Sequence, residues 1–241
     1  MGVRFFSWAL IMKIILMPKY KIAFIDVAKA GSSTLKDIAV DTCYPECKDL
    51  KDRYGVHLYM QHGFKYPFNP TITDCAEEIK DEYKFYMFVR NQYSRIYSSF
   101  IHYLVEAGPY ADRHQPCIYI KNVGTFDTLL NTTAIDEMNK VDIHFYSFRR
   151  ILSAFPPDID LTFCHFENFE KELRNIFNNV GCDAHIPHKN PKKNKIEYTE
   201  AYNMKLKLRF LDIYRWDMTH FNYTFDSYGP LPTYEEIYKF I

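Results

Sequence analysis

The stretch KIAFIDVAKAGSST, Lys21 to Thr34, decides how this chain reads. Its first half, Lys21–Val27, is a near-continuous apolar run, the pattern of a parallel strand covered on both faces. A short loop of small residues follows, holding Lys29 and Gly31, and then three hydroxyl residues, Ser32, Ser33 and Thr34. In the next segment, LKDIAVDTC, Leu35, Ile38 and Ala39 recur at helical spacing. Strand, small-residue loop and helix in that order wrap an anion: backbone N–H groups at the helix start point at it, and the helix dipole favours its charge. Lys29 supplies a cation, Gly31 lets the backbone approach closely, and the hydroxyls donate. A serine-rich turn that merely caps a helix would carry the same letters. A nucleoside-triphosphate loop needs GxxxxGK[ST], whereas here Lys29 precedes Gly31 and no second glycine is present. The loop therefore suits one 5′-phosphate-type group.

A second half-site, FVRNQYSRIYSSF (Phe88–Phe100), follows about sixty residues later. Lys84–Val89 reads as another strand, which puts Arg90 at a carboxyl end, where ligands of open α/β sheets bind. Ser98 lies eight residues on, in a helix marked by Ile96, Phe100, Ile101 and Leu104 and ended by Gly108-Pro109. An arginine forks onto a phosphate and a serine adds a donor. Arg95, between them, equally fits a surface ion pair. Two such half-sites together point to a nucleotide with two separate phosphate groups.

Outward from these motifs the strand–helix alternation continues. Asp160–Phe166 is a third strand candidate, leading into a helix with Phe169, Leu173, Ile176, Phe177 and Val180, stopped by Gly181. Thr125–Leu130 reads as a short helix. Thr199 is placed to cap a long last helix with Tyr202, Leu206, Phe210 and Ile213 on one stripe. The expectation is an α/β layered fold with a mainly parallel sheet. Residues 1–20 form a short apolar segment and 21–241 a single domain. Within the former, Phe5–Met17 is 13 residues long and interrupted by Lys13, short for a membrane helix. It reads as a signal-like or anchor remnant, or as a strand or helix of the fold.

Lys plus Arg equals Asp plus Glu at 30 each, so no global basic field argues for nucleic acid. The 20 Tyr and 20 Phe imply an aromatic core, or sugar-stacking rings in a cleft. Six cysteines permit disulfides without demanding them. Cys43 and Cys47 stand four apart and no zinc pattern is present, so no metal is expected. The sequons Asn131-Thr-Thr133 and Asn222-Tyr-Thr224 lean towards a secretory compartment. No motif encodes the oligomeric state.

Lys29-Ala30-Gly31-Ser32-Ser33-Thr34 resembles the 5′-phosphosulfate loop of sulfotransferases that use 3′-phosphoadenosine 5′-phosphosulfate. RNQYSRIYS, Arg90 to Ser98, resembles their 3′-phosphate motif, RxPxxRxxS. The likeness is to the Golgi carbohydrate sulfotransferases, including the heparan sulfate 2-O-, chondroitin and HNK-1 groups. It extends over Lys21–Phe225 through CHFENFEKEL (Cys164–Leu173), HKNPKKN (His188–Asn194) and Tyr214-Arg-Trp-Asp217 with Phe221-Asn-Tyr223. Ala28 and Gln92 stand where the family has prolines, and its long anchor and stem are missing.

The resemblance implies a P-loop-like three-layer α/β fold. It also implies sulfuryl transfer to a hydroxyl of an acceptor, most readily a carbohydrate, in the Golgi membrane or lumen. A cytoplasmic location is the alternative, because no full-length anchor is present. Lys29 would stabilise charge on the departing phosphate oxygen. His62, in YMQHGFKY, is the candidate base, with His57 as its rival. Ala30 to Thr34, Arg90, Ser98, Lys189 and Asn190 would hold the donor. His144 and Glu167 suit either an acceptor-facing or a structural role. Two other classes stand beside this one: a kinase-like phosphotransferase, and a non-catalytic relative that binds nucleotide or glycan.

Overall fold

The computed structural model describes residues 14–44, 79–106, 115–187 and 197–241. Four strands form one sheet in the order β1 (Ile14–Met17), β2 (Ile22–Ile25), β3 (Lys84–Val89), β4 (Leu161–His165). β2, β3 and β4 are parallel, with Phe24 opposite Tyr86 and Phe88 opposite Cys164. β1 pairs antiparallel with β2, Ile14 facing Ile25 and Met17 facing Ile22. All four β1 residues are buried. The sheet therefore starts inside the apolar N-terminal segment, ahead of Lys21.

β2 is apolar along its length and β3 from Phe85 onward, as expected where helices cover both faces, whereas β4 exposes Thr162. On one face Phe24, Tyr86 and Phe88 form a patch, met by Phe177 and Phe169 of α7 (Phe169–Asn179). On the other, Phe163 of β4 meets Phe221 and Tyr234, which follow α9 (Met204–His220) and open α10 (Tyr234–Tyr238). The result is the three-layer α/β arrangement read from the sequence. The remaining helices are α1 (Ser32–Cys43), α2 (Gln92–Ile101), α3 (Gln115–Val123), α4 (Phe126–Asn131), α5 (Ala134–Val141), α6 (Phe148–Leu152) and α8 (Tyr198–Ala201). Among the described residues no helix is long and apolar enough to cross a membrane.

The aromatic residues do build the core. Tyr93 stacks on Phe210 with ring centroids 4.0 Å apart, and Phe210 on Tyr214 at 4.7 Å, joining α2 to α9. The long last helix starts later than Thr199. Tyr202 is extended and buried, its hydroxyl donating to the Tyr93 carbonyl, which separates α8 from α9. Asn203 caps α9 instead, its side chain accepting from the Leu206 N–H.

Candidate active site

The first motif forms the turn from β2 into α1. Two backbone positions are left-handed, Lys29 at φ 64° and Gly31 at φ 89°. Gly31 is the residue that caps α1, and no side chain closes this helix start. A helix that starts this way leaves its first amides without partners inside the helix, and Ser32, Ser33 and Thr34 are its first three residues. Only glycine fits at position 31, because a Cβ there would lie 2.4 Å from Cε2 of Phe169 as well as straining the left-handed backbone. Ala28 and Ala30 are buried beneath the loop. Its two ends are pinned by a buried ion pair, Lys36 Nζ to Asp26 Oδ2 at 2.7 Å, linking the end of β2 to the first turns of α1.

The second motif lies alongside. Arg90 follows β3, and β3 neighbours β2 in parallel, so both motifs emerge at the carboxyl edge of adjacent strands. The contact is direct: Arg90 Nη1 donates to the Lys29 carbonyl at 2.7 Å, and Nη2 donates to Ser94 Oγ at 2.7 Å. The guanidinium lies over the Phe166 ring, 4.8 Å from its centroid. Burial lowers the Arg90 pKa to about 10, with the Glu167 carboxylate opposing the shift.

Asn91 caps α2, its side-chain oxygen accepting from the Tyr93 N–H while its amide nitrogen donates to the Thr224 and Phe225 carbonyls. Gln92, at the first helical position, stands where the family motif has proline. That position tolerates either residue because its N–H has no partner within the helix. Gln92 uses the freedom to bridge Arg95 and Asp217, accepting from Arg95 Nε at 2.8 Å and donating to Asp217 Oδ2.

Arg95 is therefore no surface ion-pair former. It is fully buried, donating to Gln92 and to the carbonyls of His144 and Tyr146. His144 belongs to this network: its Nδ1 lies 2.9 Å from Asp142 Oδ1 and 2.7 Å from the Tyr103 hydroxyl. Asp217 completes it by accepting from the Phe148 and Arg149 N–H groups that open α6. Burial pulls Arg95 down to about 10 and pushes Asp217 up to about 6.

Lys29 to Thr34 and Arg90 thus come together. Ser98 lies half-buried further along α2, and the hydroxyl brought to Arg90 is that of Ser94, one helical turn from it. Glu167 frames the same edge: Oε1 accepts from the Asn91 N–H at 2.9 Å and Oε2 from the Tyr223 hydroxyl at 2.7 Å. Burial and then the Glu167 charge raise the Tyr223 pKa. The i, i+4 spacing of Arg90 and Ser94 was the signal for Ser94, and no spacing announced the Asn91–Glu167 bond. His57, His62, Lys189 and Asn190 lie outside the described residues.

Neither a curated protein nor a solved structure gives a match. The profile described as Sulfotransferase family matches residues 12–224, from just before β1 to the turn that receives Asn91. With all four described strands and both motifs inside that match, the chain belongs to the sulfotransferase family.

Proposed function

We propose that this protein transfers a sulfuryl group from 3′-phosphoadenosine 5′-phosphosulfate to a carbohydrate hydroxyl. The observation that carries the reading is the 2.7 Å hydrogen bond from Arg90 to the Lys29 carbonyl, which makes two anion-binding motifs one continuous surface. The donor set suits two anions: an open helix start with three hydroxyl residues on one side, an arginine with a serine hydroxyl on the other. When bound, the donor supplies an activated sulfuryl group and a phosphate leaving group. The chain's own task is to hold both phosphate ends and neutralise charge as it grows on the leaving oxygen, the role we assign to Lys29 and the α1 amides. We assign Ser98, Lys189 and Asn190 to the nucleotide and His62 to removal of the acceptor proton. A Golgi location is part of the same proposal, and the sequon Asn222, exposed on the surface, is where glycosidase treatment would reveal it.

The deciding experiment is transfer of labelled sulfate from the donor to an array of glycan, tyrosine-peptide and small-alcohol acceptors. It is paired with thermal shifts by adenosine 3′,5′-bisphosphate and by ATP with Mg²⁺. Labelled glycan and a stabilising shift with the bisphosphate are expected. Lys29→Ala should lower turnover roughly 10²–10³-fold while the protein stays folded. A shift with ATP and Mg²⁺ alone would assign the site to phosphoryl transfer, and tight bisphosphate binding with no acceptor labelled would make the protein a binder.

A further inference from the structure

We propose that Arg90 is a positioning residue for Lys29 as well as a donor-binding group, a claim that rests on the catalytic role given to Lys29 above. Lys29 is one of three non-glycine residues with positive φ, Lys21 and Asn222 being the others among the described residues. A left-handed backbone at a residue with a Cβ costs on the order of 1–2 kcal/mol, and it persists only where the surroundings enforce it. Two neighbours do so. The Ala30 N–H is held by the Val27 carbonyl at 3.2 Å, which fixes the nitrogen side of the peptide that follows Lys29. Arg90 Nη1 holds the carbonyl side of that same peptide at 2.7 Å.

The guanidinium is itself braced and cannot follow a relaxing loop. Ser94 Oγ takes Nη2, the Phe166 ring lies under the plane, and Phe169 closes the space beyond Gly31. A guanidinium carries five N–H donors, and these two bonds use two of them. The remaining donors suffice for an anion without releasing the Lys29 carbonyl. Binding and positioning therefore coexist in one side chain, and the backbone that aims Lys29 is set from the second phosphate motif. A lysine at position 90 would keep the cation but lacks the planar fork that serves carbonyl, hydroxyl and anion together.

The test uses the full chain and two readouts. In a crystal structure of the unliganded Arg90→Lys variant, Lys29 should leave the left-handed region for negative φ. In steady-state transfer with saturating donor, turnover by this variant should fall at least about tenfold, whereas a residue that only grips donor would raise its KM and leave turnover intact. Introduced into Lys29→Ala, the same change should cost little further turnover, because its route to the chemistry is already gone. Ser94→Ala, which removes one brace, should reproduce the effect in smaller size. Lys29 retaining its left-handed backbone, or a loss confined to donor KM, overturns the assignment. If the wild-type protein neither binds adenosine 3′,5′-bisphosphate nor transfers sulfate, the functional reading falls, and the crystal structure alone then decides whether Arg90 sets the loop.

Discussion

Arg90 and Arg95 belong to one nine-residue motif and have opposite fates. Arg90 stands at the rim of the sheet with its fork turned to the anion loop. Arg95, little more than a helical turn further on, is sealed in the core and satisfied by Gln92 and two main-chain carbonyls. The same residue type thus braces the loop ahead of α2 at Arg90 and the core within α2 at Arg95. The difference comes from what surrounds each guanidinium. The rim offers a loop carbonyl and one hydroxyl and leaves donors to spare. The core offers acceptors on several sides together with the Phe148 ring, 5.3 Å away.

The largest effect that separates the two is expected from replacing each by methionine. Arg95→Met should lower unfolding free energy by about 3–5 kcal/mol, because carbonyls and the Asp217 network lose a buried partner. Arg90→Met should leave urea unfolding much closer to wild type and abolish the bisphosphate-induced shift. Equal destabilisation by both would erase the distinction.

Next comes a pH signature. Asp217, buried beside Arg95, has a native pKa of about 6 against an ordinary 3.8. The native state therefore binds more protons than the unfolded chain between these values, and stability falls as pH rises from about 4 to 6. The wild-type advantage over Asp217→Asn should narrow by about 3 kcal/mol across that window, as read by urea denaturation at stepped pH. A constant difference would show that the core carboxyl is not perturbed as described.

Gly31→Ala should cost about 2 kcal/mol and weaken bisphosphate binding, since the added methyl meets the Phe169 ring and the backbone is left-handed. Pairing it with Phe169→Leu should recover the steric part only. The smallest effect is at the edge of Arg90: Ser94→Ala should weaken bisphosphate binding by roughly tenfold or less, about one hydrogen bond to a charged group, with no change in unfolding midpoint. Calorimetric titration would measure it.

Much of this arrangement was legible because it follows from short-range pattern. β2 is an apolar run and β3 and β4 are mainly apolar ones, and the loop after β2 needs a glycine for conformation and space together. β1 was harder to read: four residues at the end of a longer apolar segment resemble an anchor as much as an edge strand, and only pairing with β2 decides. The cap of α9 moved from Thr199 to Asn203 because Tyr202 turns inward to the Tyr93 carbonyl, a long-range contact. Arg95 shows the limit most plainly. Of its partners only Gln92 lies within the motif; His144, Tyr146 and Asp217 are distant in sequence, and spacing within the motif carries no trace of them. Glu167 stands out only through the family resemblance of its segment, and its bond to the Asn91 N–H spans 76 residues of chain.

The direction of β1 has one more outcome. Because Ile14 sits opposite Ile25, immediately before Asp26, the polypeptide enters the sheet at the same end from which the Lys29 loop departs. The start of β1 and the loop that carries Lys29 therefore share one rim of the sheet, and a pair of spectroscopic labels at these two places would report their closeness in the folded chain.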